Sequence, residues 1–168
     1  DILYFQRNPL MFHRLVLGTK RLWQGQQDVV TAIRDNNRIV APAGHGVGKT
    51  YIGASSVFWY LLCFPPAIVV TTASTWSQVA NQLWREIRER FNTSLELSKF
   101  PITQPPLTTQ WNVSDRWFAI GISTKDEVNF EGFHQDHVMV MIDEACGVRP
   151  AIWNGAKNLT MGQYDKIV

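Results

Sequence analysis

Cysteine is scarce in this chain: 168 residues carry two, Cys63 and Cys146, far apart and each beside apolar neighbours. That excludes a disulfide framework and a cysteine-rich metal site, and leaves reduced, buried thiols of a cytoplasmic protein as the expectation. Long apolar runs are missing as well. The longest, residues 57–70, is interrupted by Pro65 and Pro66 and is too short to span a bilayer, and no basic-then-apolar leader opens the chain. Neither a membrane nor secretion is expected. An excess of one charge is also lacking: 16 Lys and Arg stand against 14 Asp and Glu, a net +2 that permits a nucleic-acid partner without requiring one. Repeats and low-complexity segments are absent. What remains is 45% hydrophobic and 18% charged, the composition of one globular domain long enough to bury a core. The chain starts at Asp1 and residues 164–168 resemble a strand just begun, so a fragment is expected.

Periodicity divides the chain into alternating helices and strands. Residues 8–17 suit a short helix, with Pro9 in its first turn and Gly18 at its stop, and residues 23–34 suit a second with Trp23, Gln27, Val30 and Ile33 near one face. A β-branched strand is expected at 38–41, a helix at 49–62 closed by Pro65 and Pro66, and a strand buried on both faces at 67–72. Residues 76–91 place Trp76, Val79, Leu83, Ile87 and Phe91 on one helical stripe, with a solvated charged face that includes a Glu86–Arg90 pair. A long loop with room for a short hairpin is expected over 92–112, strands at 117–122 and 137–142, and a helix at 151–159. The β-α-β-α order implies a three-layer α/β sandwich with a mainly parallel sheet.

Between the expected strand at 38–41 and the helix at 49–62 lies Ala43-Gly44-His45-Gly46-Val47-Gly48-Lys49-Thr50. This fits the Walker A pattern, with Ala43 in place of the usual first glycine. Gly44, Gly46 and Gly48 allow a tight turn whose backbone N–H groups can cradle phosphate oxygens, and the following helix adds its positive end. Lys49 would set a point charge on the β- and γ-phosphates of ATP, and the Thr50 hydroxyl would ligate Mg²⁺. The bland alternative is a glycine-rich turn, but the strand before and the helix after are what the phosphate chemistry requires. His45 is assigned a secondary role in the loop.

A second signal is the apolar run Val138-Met139-Val140-Met141-Ile142 ending in Asp143 and Glu144. In a parallel sheet the carboxyl ends of strands share one edge, so these acids can approach the phosphate loop. Asp143 would hold the Mg²⁺ shell, and Glu144 would polarise an attacking water as general base. Two acids that merely open a turn are the alternative.

Three further segments narrow the choice: Trp23-Gln24, Val69-Val70-Thr71-Thr72-Ala73-Ser74-Thr75-Trp76-Ser77-Gln78-Val79 with Leu83-Trp84-Arg85-Glu86-Ile87, and Phe130-Glu131-Gly132-Phe133-His134 leading into the acidic strand and Ala145-Cys146-Gly147-Val148. Together with the phosphate loop these resemble the ATPase domain of the large terminase subunit of tailed bacteriophages and prophages, from about Asn8 onward. The resemblance implies a RecA-like P-loop fold and an ATP-driven motor that moves double-stranded DNA into a capsid in the cytoplasm of the bacterial host. Its implied partners are the portal protein, the small terminase subunit and further copies in a ring. It divides the chain into a helical lead-in, residues 1–36, and the first part of the ATPase core, residues 37–168, with the nuclease domain and coupling motif absent. Gln24 would recognise the adenine edge with Trp23 beside it, and Thr71, Thr72 and Ala73 would correspond to the segment after the second core strand, near the DNA track; a Thr-rich helix start capped by Ser74 or Thr75 is the alternative. Pro42-Ala43 occupies the stretch where the family often carries an arginine finger, which is left unassigned among Arg38, Arg85 and Arg149. The rival expectations are a helicase-like P-loop translocase and a non-hydrolysing nucleotide-binding module.

His134 and His137 with Asp136 have a spacing that suggests an ion, but a turn before a strand accounts for them more simply. Trp59, Trp111, Trp117 and Trp153 are expected to pack in the core and not to stack on bases.

Overall fold

Ala67–Ala73 (β1) is buried at every residue. Such a strand needs neighbours on both sides in the plane and cover above and below it. The computed structural model describes residues 2–123 and 132–168 and supplies both; Phe130 and Glu131 of the segment before the acidic strand lie outside the described residues. On one side β1 runs parallel to Trp117–Gly121 (β3), with Ile68 opposite Phe118 and Thr71 opposite Gly121. On the other it runs parallel to His137–Asp143 (β4), in register from Ala67 opposite His137 to Ala73 opposite Asp143. Lys166–Ile167 (β5) extends the sheet in parallel beyond β4, and Gln110–Ser114 (β2) folds back antiparallel on β3. The order is β2-β3-β1-β4-β5.

Side chains alternate across this sheet. Val69, Ala119, Met139 and Met141 join one core, and Ile68, Val70, Val140 and Ile142 join another. The first face carries Lys49–Cys63 (α4), over which pack Ile2–Arg7 (α1), Pro9–Leu15 (α2) and Gln24–Asp35 (α3). Enclosed between sheet and outer helices, α4 is buried at every residue from Ala54 to Cys63, as expected of a helix apolar on all sides. Pro150–Leu159 (α7) covers the second face through Ile152 and Ala156. The fold is thus the three-layer α/β arrangement with a mainly parallel sheet that the element order implies.

Tryptophans that fill the core bring a polar N–H that needs a partner. Trp59 donates to the Phe5 carbonyl (2.8 Å), Trp111 to Gln104 (3.1 Å) and Trp117 to Leu61 (2.6 Å). Trp111 also packs against Phe58 and Phe91 with ring centroids 4.7 and 5.7 Å away. These are packing residues, and the hairpin of β2 and β3 is held to the core by two of them, Trp111 and Trp117. Asp165 is buried, and its carboxylate accepts the N–H groups of Val138 (2.8 Å) and Gly162 (2.7 Å), fixing the approach to β5.

Several elements depart from expectation. The helix expected at 76–91 is interrupted: Trp76–Gln78 (α5) and Trp84–Thr93 (α6) flank a π-turn at Val79–Leu83. The cause is a distant strand. Trp84 donates to the Thr71 hydroxyl (2.8 Å), and a Cβ on Gly121 would lie 2.7 Å from the Trp84 indole nitrogen and 2.8 Å from Val79. The widened turn brings Val79 and Trp84, five positions apart, onto one strand end. The strand expected at 38–41 shrinks to a single parallel bridge between Arg38 and Ile167, because β5 is two residues long and Pro42 has no N–H to donate. Even so, the segment entering the glycine-rich loop is seated beside β5, with Ile39 N–H donating to the Ile167 carbonyl (2.9 Å). Helix α1 was not anticipated. Cys63 is buried as expected, whereas Cys146 is exposed because it sits in the turn after β4. No helix among the described residues is long and apolar enough to cross a membrane.

His13 on α2 is 1% exposed, and neither ring nitrogen has a hydrogen-bond partner. Burial pulls its pKa from the ordinary 6.5 to about 4. Between those values the unfolded chain binds the proton and the folded chain does not, so the stability present above pH 6.5 is lost as the pH falls towards 4. The loss amounts to about 3 kcal/mol at most. Urea unfolding at pH 7 and pH 4.5 should therefore show a larger acid destabilisation in the parent chain than in a His13→Leu variant. Equal acid sensitivity in the two would assign the loss to other groups.

Candidate phosphate-binding site

The loop between Arg38 and α4 turns at two glycines with positive φ, Gly46 (+74°) and Gly48 (+84°), a region that side-chain-bearing residues seldom enter. Gly48 is the N-cap of α4, so Lys49 and Thr50 are that helix's first two residues. The helix is immobilised by its buried body, which fixes the position of its open N-terminal end. Residues 41–46 are exposed and residues 47–50 are half-buried. The Lys49 ammonium donates to the Ala43 carbonyl (3.1 Å), closing the loop on itself.

Helix α3 holds this loop from outside. The Trp23 indole donates to the Val47 carbonyl (3.2 Å), and Gln26 donates to the same oxygen (3.5 Å). A Cβ on Gly48 would come within 2.6 Å of the Gln26 amide nitrogen, so the close approach depends on glycine there. Gln26 also accepts from the Trp23 backbone N–H (3.3 Å) and so ties the start of α3 to the loop. Gln24 points elsewhere, donating to Asp28 one turn along its own helix (2.8 Å). Gln26 was missed in the sequence; its signal was a glutamine three residues after the helix N-cap, the position that reaches back.

Across from the loop stands the carboxyl end of β4. Asp143 is its last residue, and Glu144 follows in a left-handed conformation, φ 52° and ψ 48°. Glu144 Oε1 lies 3.8 Å from Lys49 Nζ, with both side chains about a third exposed, at 31% and 30%. At that distance and exposure the pair contributes little to stability. Its importance is geometric: loop and acidic strand, distant in sequence, converge.

The two acids have different surroundings. Asp143 Oδ1 accepts the Glu144 N–H (3.0 Å), while Oδ2 is buried without a hydrogen-bond partner. Burial raises the Asp143 pKa; the Glu144 N–H opposes this, the Glu144 charge adds to it, and Lys49 opposes it. A buried carboxylate oxygen without a partner is costly, and a cation would satisfy it. No group of three His, Cys, Asp or Glu converges among the described residues.

The remaining sequence candidates fall in several places. Thr71 and Thr72 are not beyond the strand but within β1, fully buried, their hydroxyls donating to the Ile120 (3.2 Å) and Ile122 (3.1 Å) carbonyls. Ala73 is buried at the end of β1. His45 is exposed at the tip of the loop. Arg38 donates to the Thr160 carbonyl (2.6 Å), Arg85 is exposed on α6, and Arg149 is exposed at the N-cap of α7. His137 packs against the Phe64 and Tyr164 rings at 5.8 and 5.7 Å.

No family model matches the chain. It is similar to a protein of Enterobacteria phage P7 described as "Probable terminase, large subunit", with 23% identity over 160 residues. The alignment covers 92% of this chain and 32% of that protein, so the chain spans about a third of the length of the curated relative it matches. At this distance the similarity supports a terminase-related protein, the same family that the phosphate loop, the acidic strand and their flanking motifs resemble.

Proposed function

We propose that the chain is the ATP-hydrolysing part of a terminase large subunit, a motor that couples hydrolysis to movement of double-stranded DNA into a capsid. The observation that carries this reading is the approach of Lys49 to Glu144 across the carboxyl edge of a parallel sheet, at 3.8 Å. A phosphate-binding loop alone suits any nucleotide-binding protein. A loop lysine beside a carboxylate that follows a second, half-buried carboxylate suits one that hydrolyses. The distant similarity to the phage P7 protein supports the packaging role.

On this reading, the loop residues Ala43, Gly44, His45, Gly46, Val47 and Gly48 surround the triphosphate, and Lys49 neutralises charge on its outer phosphates. Thr50 and Asp143 would hold Mg²⁺, which when bound offsets the charge that builds on the phosphate oxygens. Glu144 orients a water and takes its proton as the water oxygen bonds to the γ-phosphorus and the bond to ADP breaks. Gln24 turns from Asp28 to contact the adenine edge, while Trp23 and Gln26 hold the loop through Val47. The DNA, the portal protein, the small subunit and a ring of further copies are the partners this role requires, in the cytoplasm of the bacterial host.

Two measurements test the reading. Glu144→Gln should retain Mg²⁺-dependent binding of a fluorescent ATP analogue and lose about a hundredfold or more in kcat, the usual worth of a general base. Normal turnover in that variant would remove Glu144 from the chemistry, and binding without any turnover in the parent chain would leave a nucleotide-binding module. The two glutamines should separate by readout. Gln24→Ala should narrow the preference for ATP over GTP, whereas Gln26→Ala should weaken both nucleotides alike, because it loosens the loop. If Gln26→Ala alone changed base preference, the roles would be exchanged.

A further inference from the structure

The turn after Asp143 is held in an unfavourable shape, and the group that holds it comes from the residue that follows another strand. Among the described non-glycine residues, Glu144 is the one with positive φ. A left-handed backbone is disfavoured for a residue with a Cβ and persists where surrounding contacts impose it. Here the Glu144 carbonyl accepts two donors: the Ser74 hydroxyl at 2.7 Å and the Gly147 N–H at 3.3 Å. Ser74 directly follows Ala73, which is in register with Asp143, so the hydroxyl reaches the turn across one strand spacing. Gly147 leaves the room, because a Cβ built there would overlap the Ser74 side chain. Ser74 is itself held from behind. The next residue, Thr75, caps the following helical segment, exchanging hydrogen bonds with Gln78 at 3.0 and 3.3 Å.

We propose that Ser74 is a positioning residue for the general base: its hydroxyl fastens the Glu144 carbonyl and keeps residue 144 in the left-handed conformation that directs its carboxylate to Lys49. This rests on the hydrolysis reading above and adds to it a residue on β1's side of the site that touches neither nucleotide nor metal. The consequence is a mechanical link. The end of β1 and the start of α5 cannot shift relative to β4 without releasing the base, so hydrolysis is sensitive to the segment Ser74–Gln78, whose Thr75, Trp76 and Ser77 are exposed.

The test combines kinetics with amide exchange. Ser74→Ala removes one oxygen and should fold, with a cooperative melt close to that of the parent. Exchange should quicken in peptides spanning residues 144–148, in the absence of any nucleotide. Its kcat should fall about tenfold or more, as for a misplaced catalytic group, while KM and the affinity for a fluorescent ATP analogue stay within about twofold. In a Glu144→Gln background the same substitution should add no further loss, since there is no base left to position. Gly147→Ala, which crowds the hydroxyl from the other side, should reproduce the kcat loss and the faster exchange.

Unchanged exchange in Ser74→Ala overturns the proposal, as does faster exchange with normal kcat, or a loss that adds in full to that of Glu144→Gln. Each of these leaves the hydrolysis reading standing so long as Glu144→Gln is inactive. A parent chain without turnover overturns the hydrolysis reading and the role of Ser74 with it, whereas normal turnover in Glu144→Gln removes Glu144 from the chemistry and overturns the role of Ser74 alone.

Discussion

The register between β1 and β4 is the constraint on which the rest depends. Seven residues pair in parallel, and the last pair sets Ala73 opposite Asp143. Because the strands run the same way, the residues that leave them, Ser74 and Glu144, emerge side by side at one edge. Because strand side chains alternate, the register also decides which core each residue joins. Met139 and Met141 face α4, while Val140 and Ile142 face α7. A slip of one residue would exchange these sets and turn Asp143 to the wrong face. Apolar burial on both sides therefore fixes the acids as firmly as any polar contact in the site.

The loop obtains its position from a different source. Helix α4 is gripped by the sheet on one side and by α1, α2, α3 and α6 on others, so its first turn cannot drift. Lys49 inherits that rigidity, and the exposed part of the loop is restrained at Val47 by Trp23 and Gln26. The site is thus a meeting of two rigid supports, one strand end and one helix start, with the mobile chemistry confined to a few side chains between them.

Much of this was legible in the sequence, and the reason is locality. The glycine turn and the start of α4 at Lys49 and Thr50 declare themselves because they are made by consecutive residues, and β1 and β4 because a doubly covered strand has to be apolar throughout. Pro65 and Pro66 mark the end of α4 without reference to anything distant. What could not be read depends on contacts through space. The π-turn at Val79–Leu83 follows from Thr71 and Gly121, on other strands. The near disappearance of the strand at Arg38 follows from the short β5. Thr71 and Thr72 close a strand that is expected to be buried, but the carbonyls of Ile120 and Ile122 that take up their hydroxyls are set by strand pairing and not by local sequence. Gln24 and Gln26 are indistinguishable by composition; only the position of the Val47 carbonyl separates them.

The acidic pair carries the same lesson into chemistry. Asp143 and Glu144 are adjacent carboxylates, but one holds a buried oxygen without a partner and the other is about a third exposed beside a lysine. Different surroundings give like groups different tasks. On the proposed reading the unsatisfied oxygen of Asp143 takes a fixed cation, and the reachable carboxylate of Glu144 takes a proton. Lys49 connects the two states of the site, since its present contacts are the Ala43 carbonyl and Glu144. On the proposed reading a triphosphate entering the loop competes for that ammonium with far more negative charge than one carboxylate offers. Glu144 then loses its partner when substrate arrives, and the Ser74 bond to its backbone keeps the freed carboxylate from wandering. On that reading the base lies beside Lys49 while the loop is empty and is released once the loop is filled.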